Sequence, residues 1–230
     1  MKSILKLVLL LAMVIVGMEA GGMGKKMPKN YRAVPFVKAT ILQSGEGKMF
    51  CNKCGMTLPS FYRTNHAAIV DGAQRQFCSI FCLVESMNSG AKVSNVKVVD
   101  NTTLKFIDVK DAHYVVGSSK PATMAAKISK YAFGTKEAAD AFAKSFGGEV
   151  MSYADTLALA KSDYAKDTKM KKMRQAKGAK KGEMIYKKLC SPIKQKFQTA
   201  KEAKAYITKH NLCGNLKGKP LQMVGLYLAQ

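Results

Sequence analysis

The stretch His66-Ala-Ala-Ile-Val-Asp71-Gly72-Ala-Gln-Arg75-Gln-Phe77-Cys78-Ser79-Ile-Phe-Cys82-Leu-Val-Glu-Ser-Met87 decides the fold class. Its first part reads as two strands joined at the Asp71-Gly72 turn, where glycine supplies the backbone freedom a tight hairpin needs. Ser79 then suits a helix N-cap, and Ile80, Phe81, Val84 and Met87 form an apolar stripe at helical spacing that ends at Gly90. Strand, strand and helix in this order make a ββα module. Cys78 and Cys82 fall at its strand-to-helix junction, about one helical turn apart.

Downstream, a second unit repeats the plan. Residues 96–99, 104–109 and 113–116 read as strands, and Thr135 caps a helix over 136–146 whose apolar face is Ala138, Ala139, Phe142 and Phe146. Gly147-Gly148 stops that helix, and the loop from Gly117 to Met124 precedes it. The expected fold is α+β, with two small ββα-type modules, read as a degenerate duplication, and a separate helical C-terminal segment.

Upstream lies Cys51-Asn-Lys-Cys54-Gly-Met56, so that four of the six cysteines fall within 32 residues. Two close pairs of thiols are a metal-ligand pattern, because each pair can turn two sulfurs toward one ion. Met56 sets a soft thioether two residues from a soft thiolate, and soft sulfur selects Cu(I) over hard cations. A structural Zn(II) knuckle is the competing reading of the same spacing. A third is thiol–disulfide exchange through Cys51 and Cys54. It ranks lowest, because that chemistry favours a first cysteine at a helix N-terminus and the motif here runs through Gly55 toward Pro59.

The N-terminus bears on the redox setting. Lys2 and Lys6 precede an apolar run over 7–16 that ends in small residues near Ala20, which reads as a secretory signal over 1–20. A run of about ten is short of the roughly 20 apolar residues of a spanning helix. The expected location is therefore the periplasm, an oxidising compartment. Pairs two and three residues apart close almost no loop, so disulfides within the four-cysteine cluster would gain little. Cys190 and Cys213 differ: they flank a helical segment, and a bond between them would stabilise it by roughly 3 kcal/mol.

The remaining organisation follows composition. Residues 21–46 read as a flexible arm with a possible strand over 34–42, and 47–164 as the metal-binding domain. Residues 165–181, with seven basic side chains between Lys169 and Lys181, read as a solvated basic linker, and 182–230 as helices over 183–189, 199–210 and 221–228. The formal net charge is +23. In an exported chain this points to an anionic membrane surface or an acidic protein partner rather than to nucleic acid. Met23, Met27 and Met49 could capture an ion transiently, whereas Met87 and Met223 lie on apolar helix faces. His66 and His113 are strand residues, and His66 is the better candidate ligand of the two. There is no Gly-x-Ser-x-Gly elbow, phosphate-cradling glycine loop or HExxH, so the chain offers ligands rather than a catalytic constellation.

Cys51-x-x-Cys54-Gly-Met56, Asp71-Gly72, Phe77-Cys78, Ala112-His-Tyr-Val-Val-Gly-Ser118, Met124 and the helix from Lys136 to Gly148 together resemble the NosL family over roughly residues 47–160. The resemblance implies an exported, non-enzymatic Cu(I) chaperone. Its copper goes to the copper–sulfide centre of nitrous oxide reductase, by way of that enzyme or its copper-assembly machinery. It also implies Cu(I) held by Cys54, Met56 and Met124; the other thiols of the cluster, Cys51, Cys78 or Cys82, are expected to complete or gate the site. The chain departs from the family in the residues around Met124 and in Cys78 and Cys82, which resemble TRASH-type metal-binding modules. Residues 182–190 and 218–228 resemble the first and last helices of a small cytochrome c, but Cys190 is followed by Ser-Pro-Ile-Lys and offers no haem attachment motif.

Overall fold

The computed structural model describes residues 30–230. The expected signal over 1–20, and Met23 and Met27, lie outside the described residues. The first module runs β1 (His66–Val70), β2 (Ala73–Phe77), α1 (Ile80–Asn88) and β3 (Val93–Val99). Its hairpin turns on Asp71 and Gly72, both at positive φ (49° and 79°), the geometry that lets a two-residue loop follow strand twist. After α1 the chain returns as β3 on the free side of β1, and β4 (Phe106–Asp108) extends the edge, giving the order β2-β1-β3-β4.

The second module repeats this path. It comprises β5 (His113–Val116), β6 (Lys130–Phe133), α2 (Lys136–Phe146) and β7 (Glu149–Met151), in the sheet order β6-β5-β7. In both sheets the first strand is central and antiparallel to its two neighbours. Each central strand opens on a histidine paired with a phenylalanine, His66 with Phe77 and His113 with Phe133. Two residues beyond each phenylalanine stands the helix N-cap, Ser79 or Thr135. The repeat unit is thus ββαβ, one strand longer than the expected ββα. At equivalent positions the first copy has Cys78 where the second has Gly134. The hairpins differ too: Asp71-Gly72 joins β1 to β2, whereas residues 117–129 join β5 to β6.

His66 and Tyr114 bridge the two sheets, with His66 Nε2 and the Tyr114 hydroxyl 3.0 Å apart and both side chains fully buried. Asp100 adds a second tie, accepting from the Gly134 amide at 3.1 Å. The strand expected over 34–42 does not form, and residues 30–46 are not a loose arm. A 3-10 turn at Phe36–Lys38 interrupts them, and side chains replace a strand ladder. The Tyr62 hydroxyl accepts from Thr40 N, Gln76 Oε1 accepts from Leu42 N, and the buried Gln43 amide donates to the carbonyls of Lys48 and Phe50.

After α3 (Tyr153–Ser162), α4 spans Tyr164–Leu189 without a break. The expected solvated linker over 165–181 is therefore part of a 26-residue helix. Lys, Met, Ala, Gln and Arg are strong helix formers, and the buried positions Asp167, Lys171, Ala179 and Gly182 lie on one face of α4. That face is polar or small, so hydrophobicity does not mark it. Then α5 (Ala200–Lys209) and α6 (Gly218–Leu228) pack with α4 around Ile207, Leu221 and Val224. The disulfide Cys190–Cys213 closes this group, as expected from the sequence.

Candidate metal centre

Four thiols meet where the first module's hairpin end faces the loop before it. Cys51 and Cys54 sit in a turn closed by backbone bonds: Cys51 N donates to Met56 O at 2.8 Å and Gly55 N to Cys51 O at 3.0 Å. A bridge between Phe50 and Thr57 seals the base of the turn, and Asn52 N donating to Gln76 O fastens it to β2. Cys78 follows the last residue of β2, and Cys82 lies in the first turn of α1. The four sulfurs lie within 4.8 Å of one another. Cys54 and Cys78 are 3.4 Å apart, and Cys78 and Cys82 are 3.7 Å apart. All four are free and buried, none more than 2% exposed.

Crowded sulfurs share charge. Burial alone would raise the Cys51 thiol, but hydrogen bonds from Cys54, Cys78 and Cys82 outweigh it and hold Cys51 well below the ordinary thiol value. Burial, then hydrogen bonding to Cys51 and Cys54, pushes Cys78 well above its ordinary value. Hydrogen bonding within the cluster, then burial, does the same to Cys82. Of these three thiols, Cys51 is the one whose thiolate the cluster favours. A bound cation would displace the remaining protons.

The two methionines lie beside this cluster. Met56 and Met124 pack against its core, and with Cys54 they line a largely apolar cavity of about 150 Å³ whose other walls include Lys171, Arg174, Gln222 and Leu226. Met124 reaches the first module because the long β5–β6 connection is fastened along its length. Tyr131 Oη donates to Pro121 O at 2.6 Å, Arg32 donates to Ala122 O, and the Thr123 and Thr64 hydroxyls are 2.8 Å apart. Thr64 also donates to Cys78 O, and Arg174 from α4 donates to Met124 O at 2.7 Å. Met124 itself sits at φ 61°, a left-handed conformation uncommon for a long side chain and maintained only where its surroundings enforce it.

The remaining expected ligands sort clearly. Cys51, Cys54, Met56, Cys78 and Cys82, singled out by spacing, and Met124, singled out by the family resemblance, occupy one neighbourhood. Met49 instead packs on the C-terminal helices. His66 is committed to Tyr114 and to the Thr64 carbonyl, and burial pulls its imidazole down to about 4, so it is a neutral tie between modules rather than a ligand. Cys51 is in a turn and buried, which suits neither the helix dipole nor the access that thiol–disulfide exchange requires.

Sequence reasoning missed the groups that line this site from the C-terminal helices. Lys171 of α4 pairs with Glu85 of α1 at 2.5 Å. Gln222 Nε2 of α6 donates to Cys54 O at 2.9 Å, and Lys204 of α5 donates to Gly55 O at 2.5 Å. No local pattern announces them, because their partners lie 86 to 168 residues away along the chain.

Among known proteins, the NosL family model matches residues 44–160. The crystal structure of the copper chaperone NosL from Shewanella denitrificans aligns with 50% of this chain and 91% of that chain, at 23% sequence identity and a TM-score of 0.38. No curated protein matches in sequence.

Proposed function

The chain belongs to the NosL family, and from that premise we propose that it is a periplasmic Cu(I) chaperone that delivers copper for assembly of the nitrous oxide reductase copper centre. The observation that carries this reading is the convergence of Cys54, Met56 and Met124 on one cavity at the edge of a buried thiol cluster. In this reading Cys54, Met56 and Met124 hold Cu(I), and Cys51, Cys78 and Cys82 complete the site or receive the ion behind it. Thioethers are soft, uncharged ligands, so they favour Cu(I) without strengthening the site for zinc. They also leave easily. An acceptor's sulfur or imidazole entering from the methionine side would bind before the last thiolate departs. Transfer would then proceed by ligand exchange with no free ion.

A second reading rests on the cluster's closure. Metal–sulfur bonds of about 2.3 Å in a tetrahedron set sulfurs roughly 3.8 Å apart, near the 3.4 and 3.7 Å separations here. Zn(II) held by Cys51, Cys54, Cys78 and Cys82 would make the protein a zinc-stabilised interaction module. Anaerobic competition titrations separate the two. The copper reading expects Cu(I) to displace Zn(II), and Met56→Ala with Met124→Ala to weaken Cu(I) binding while leaving Zn(II) binding unchanged. Preference for Zn(II), with Cu(I) affinity indifferent to both methionines, would establish the zinc module instead.

A further inference from the structure

The C-terminal helices lie outside the stretch matched by the family, yet they grip the metal-binding turn at successive peptides. Lys204 is 0% exposed and comes from the middle of α5. Its ammonium donates to Gly55 O at 2.5 Å and to Gln222 Oε1 at 2.8 Å, lies 3.5 Å from Thr57 Oγ1 and stands 3.9 Å from the centre of the Phe50 ring. Gln222 uses its own amide to hold Cys54 O, and Lys201 donates to Asn52 Oδ1 at 3.2 Å. One residue of the turn permits this approach. Gly55 lies at φ +71°, and a Cβ there would meet the backbone of Ala200 and Lys201 at 3.0 and 2.9 Å. The turn and α5 therefore fit only as a pair.

The chemistry of the grip is unusual. A buried ammonium is costly unless a negative group compensates it, and the partners of Lys204 are carbonyls, a hydroxyl and a ring, with no carboxylate among them. The negative groups that act on Lys204 are the thiols of Cys54 and Cys51. Thiolates around a monovalent ion leave net negative charge. Burial pulls the Lys204 ammonium down to about 7, and negative charge on Cys54 and Cys51 pushes it back up. Thiolates around a bound ion would therefore keep Lys204 protonated and be offset by it, while the hydrogen bonds to Cys54 O and Gly55 O would fix where the Cys54 sulfur points.

We propose that the C-terminal helices form an integral wall of the metal centre, in which Lys204, steadied by Gln222, is the positioning residue and counter-charge for a thiolate-bound soft cation. The copper half of this inference rests on the function proposed above; the clamp on the turn does not. Outer groups that orient metal ligands typically change affinity by roughly 10- to 100-fold when removed.

The test uses the full exported chain with Lys204→Met, whose unbranched apolar side chain fills similar space, and Gln222→Met as a second variant should the first fail to fold. Two readouts are taken for each folded variant: Cu(I) affinity by anaerobic competition, and amide hydrogen exchange across residues 51–57 in the metal-free protein. The expected result is a fall of about tenfold or more in Cu(I) affinity, with faster exchange confined to that turn and the Cys190–Cys213 bond intact. A folded variant with parental exchange in the turn and parental affinity would overturn the proposal. If the parent itself binds no Cu(I), the copper reading fails, and the exchange readout alone decides the clamp.

Discussion

His66 has its imidazole held neutral between Tyr114 and the Thr64 carbonyl, with no solvent access. Burial lowers its pKa from 6.5 to about 4. The unfolded chain therefore binds a proton at this residue across a window where the folded chain does not. The stability that neutral His66 contributes is complete above about pH 6.5 and is lost as pH falls toward 4, with a ceiling of roughly 3 kcal/mol. Urea midpoints should fall from pH 7 to pH 5 more steeply in the parent than in His66→Gln; parallel profiles would show that His66 does not titrate this way. The sulfurs are the part of the site legible from residue types, because Cys-x-x-Cys, Cys-x3-Cys and Gly-Met are local patterns. Lys204 and Gln222 were not legible. A lysine in a helix reads as solvated, and only a fold that brings together groups 149 residues apart makes it a neighbour of Gly55.

At the scale of elements, the helices α4 and α6 cross where Gly182 meets Met223, and a Cβ on Gly182 would run into the Met223 carbonyl. Gly182→Ala should push the helices apart and cost roughly 1–3 kcal/mol, read as a lower melting temperature. An unchanged melt would contradict so close a crossing. Replacing Cys190 and Cys213 together with Ser should cost roughly 3 kcal/mol on the chain-entropy account. A melting temperature that reductant does not alter would count against it. The hairpin, α1, β5 and α2 could be read from alternation, turns and caps. The strands β6 and β7 could not: β6 is a buried run of four beginning with a lysine, and β7 has three residues. For α3 a signal existed in the pair Ser152 and Asp155, where Ser152 Oγ accepts from the Asp155 amide. Residues 165–181 misled because charge density resembles a linker, while their buried stripe of Asp167, Lys171 and Ala179 carries no hydrophobic signature.

Across the whole molecule, a repeated ββαβ scaffold places cysteine in only one copy, and the other contributes a long loop carrying Met124. The C-terminal helices then cover the open side. Their outer surface is basic: Lys169, Lys172, Lys177, Lys180 and Lys181 are exposed on α4, while Lys171 and Arg174 are engaged with Glu85 and the Met124 carbonyl. If this surface docks on an acidic acceptor or an anionic membrane, changing the five exposed lysines to Gln should leave Cu(I) affinity unchanged and slow copper transfer, most at low ionic strength where long-range charge raises association rates. Equal transfer rates for parent and variant at every salt concentration would reduce the charge to a solubilising role. The central claim, that the thiol and methionine sulfurs serve a soft cargo, is tested most directly by the metal content of the protein isolated from its native compartment under anaerobic, reducing conditions. The account predicts copper bound to the parent and lost on Met56→Ala with Met124→Ala. Stoichiometric zinc without copper, unchanged by those substitutions, would contradict it.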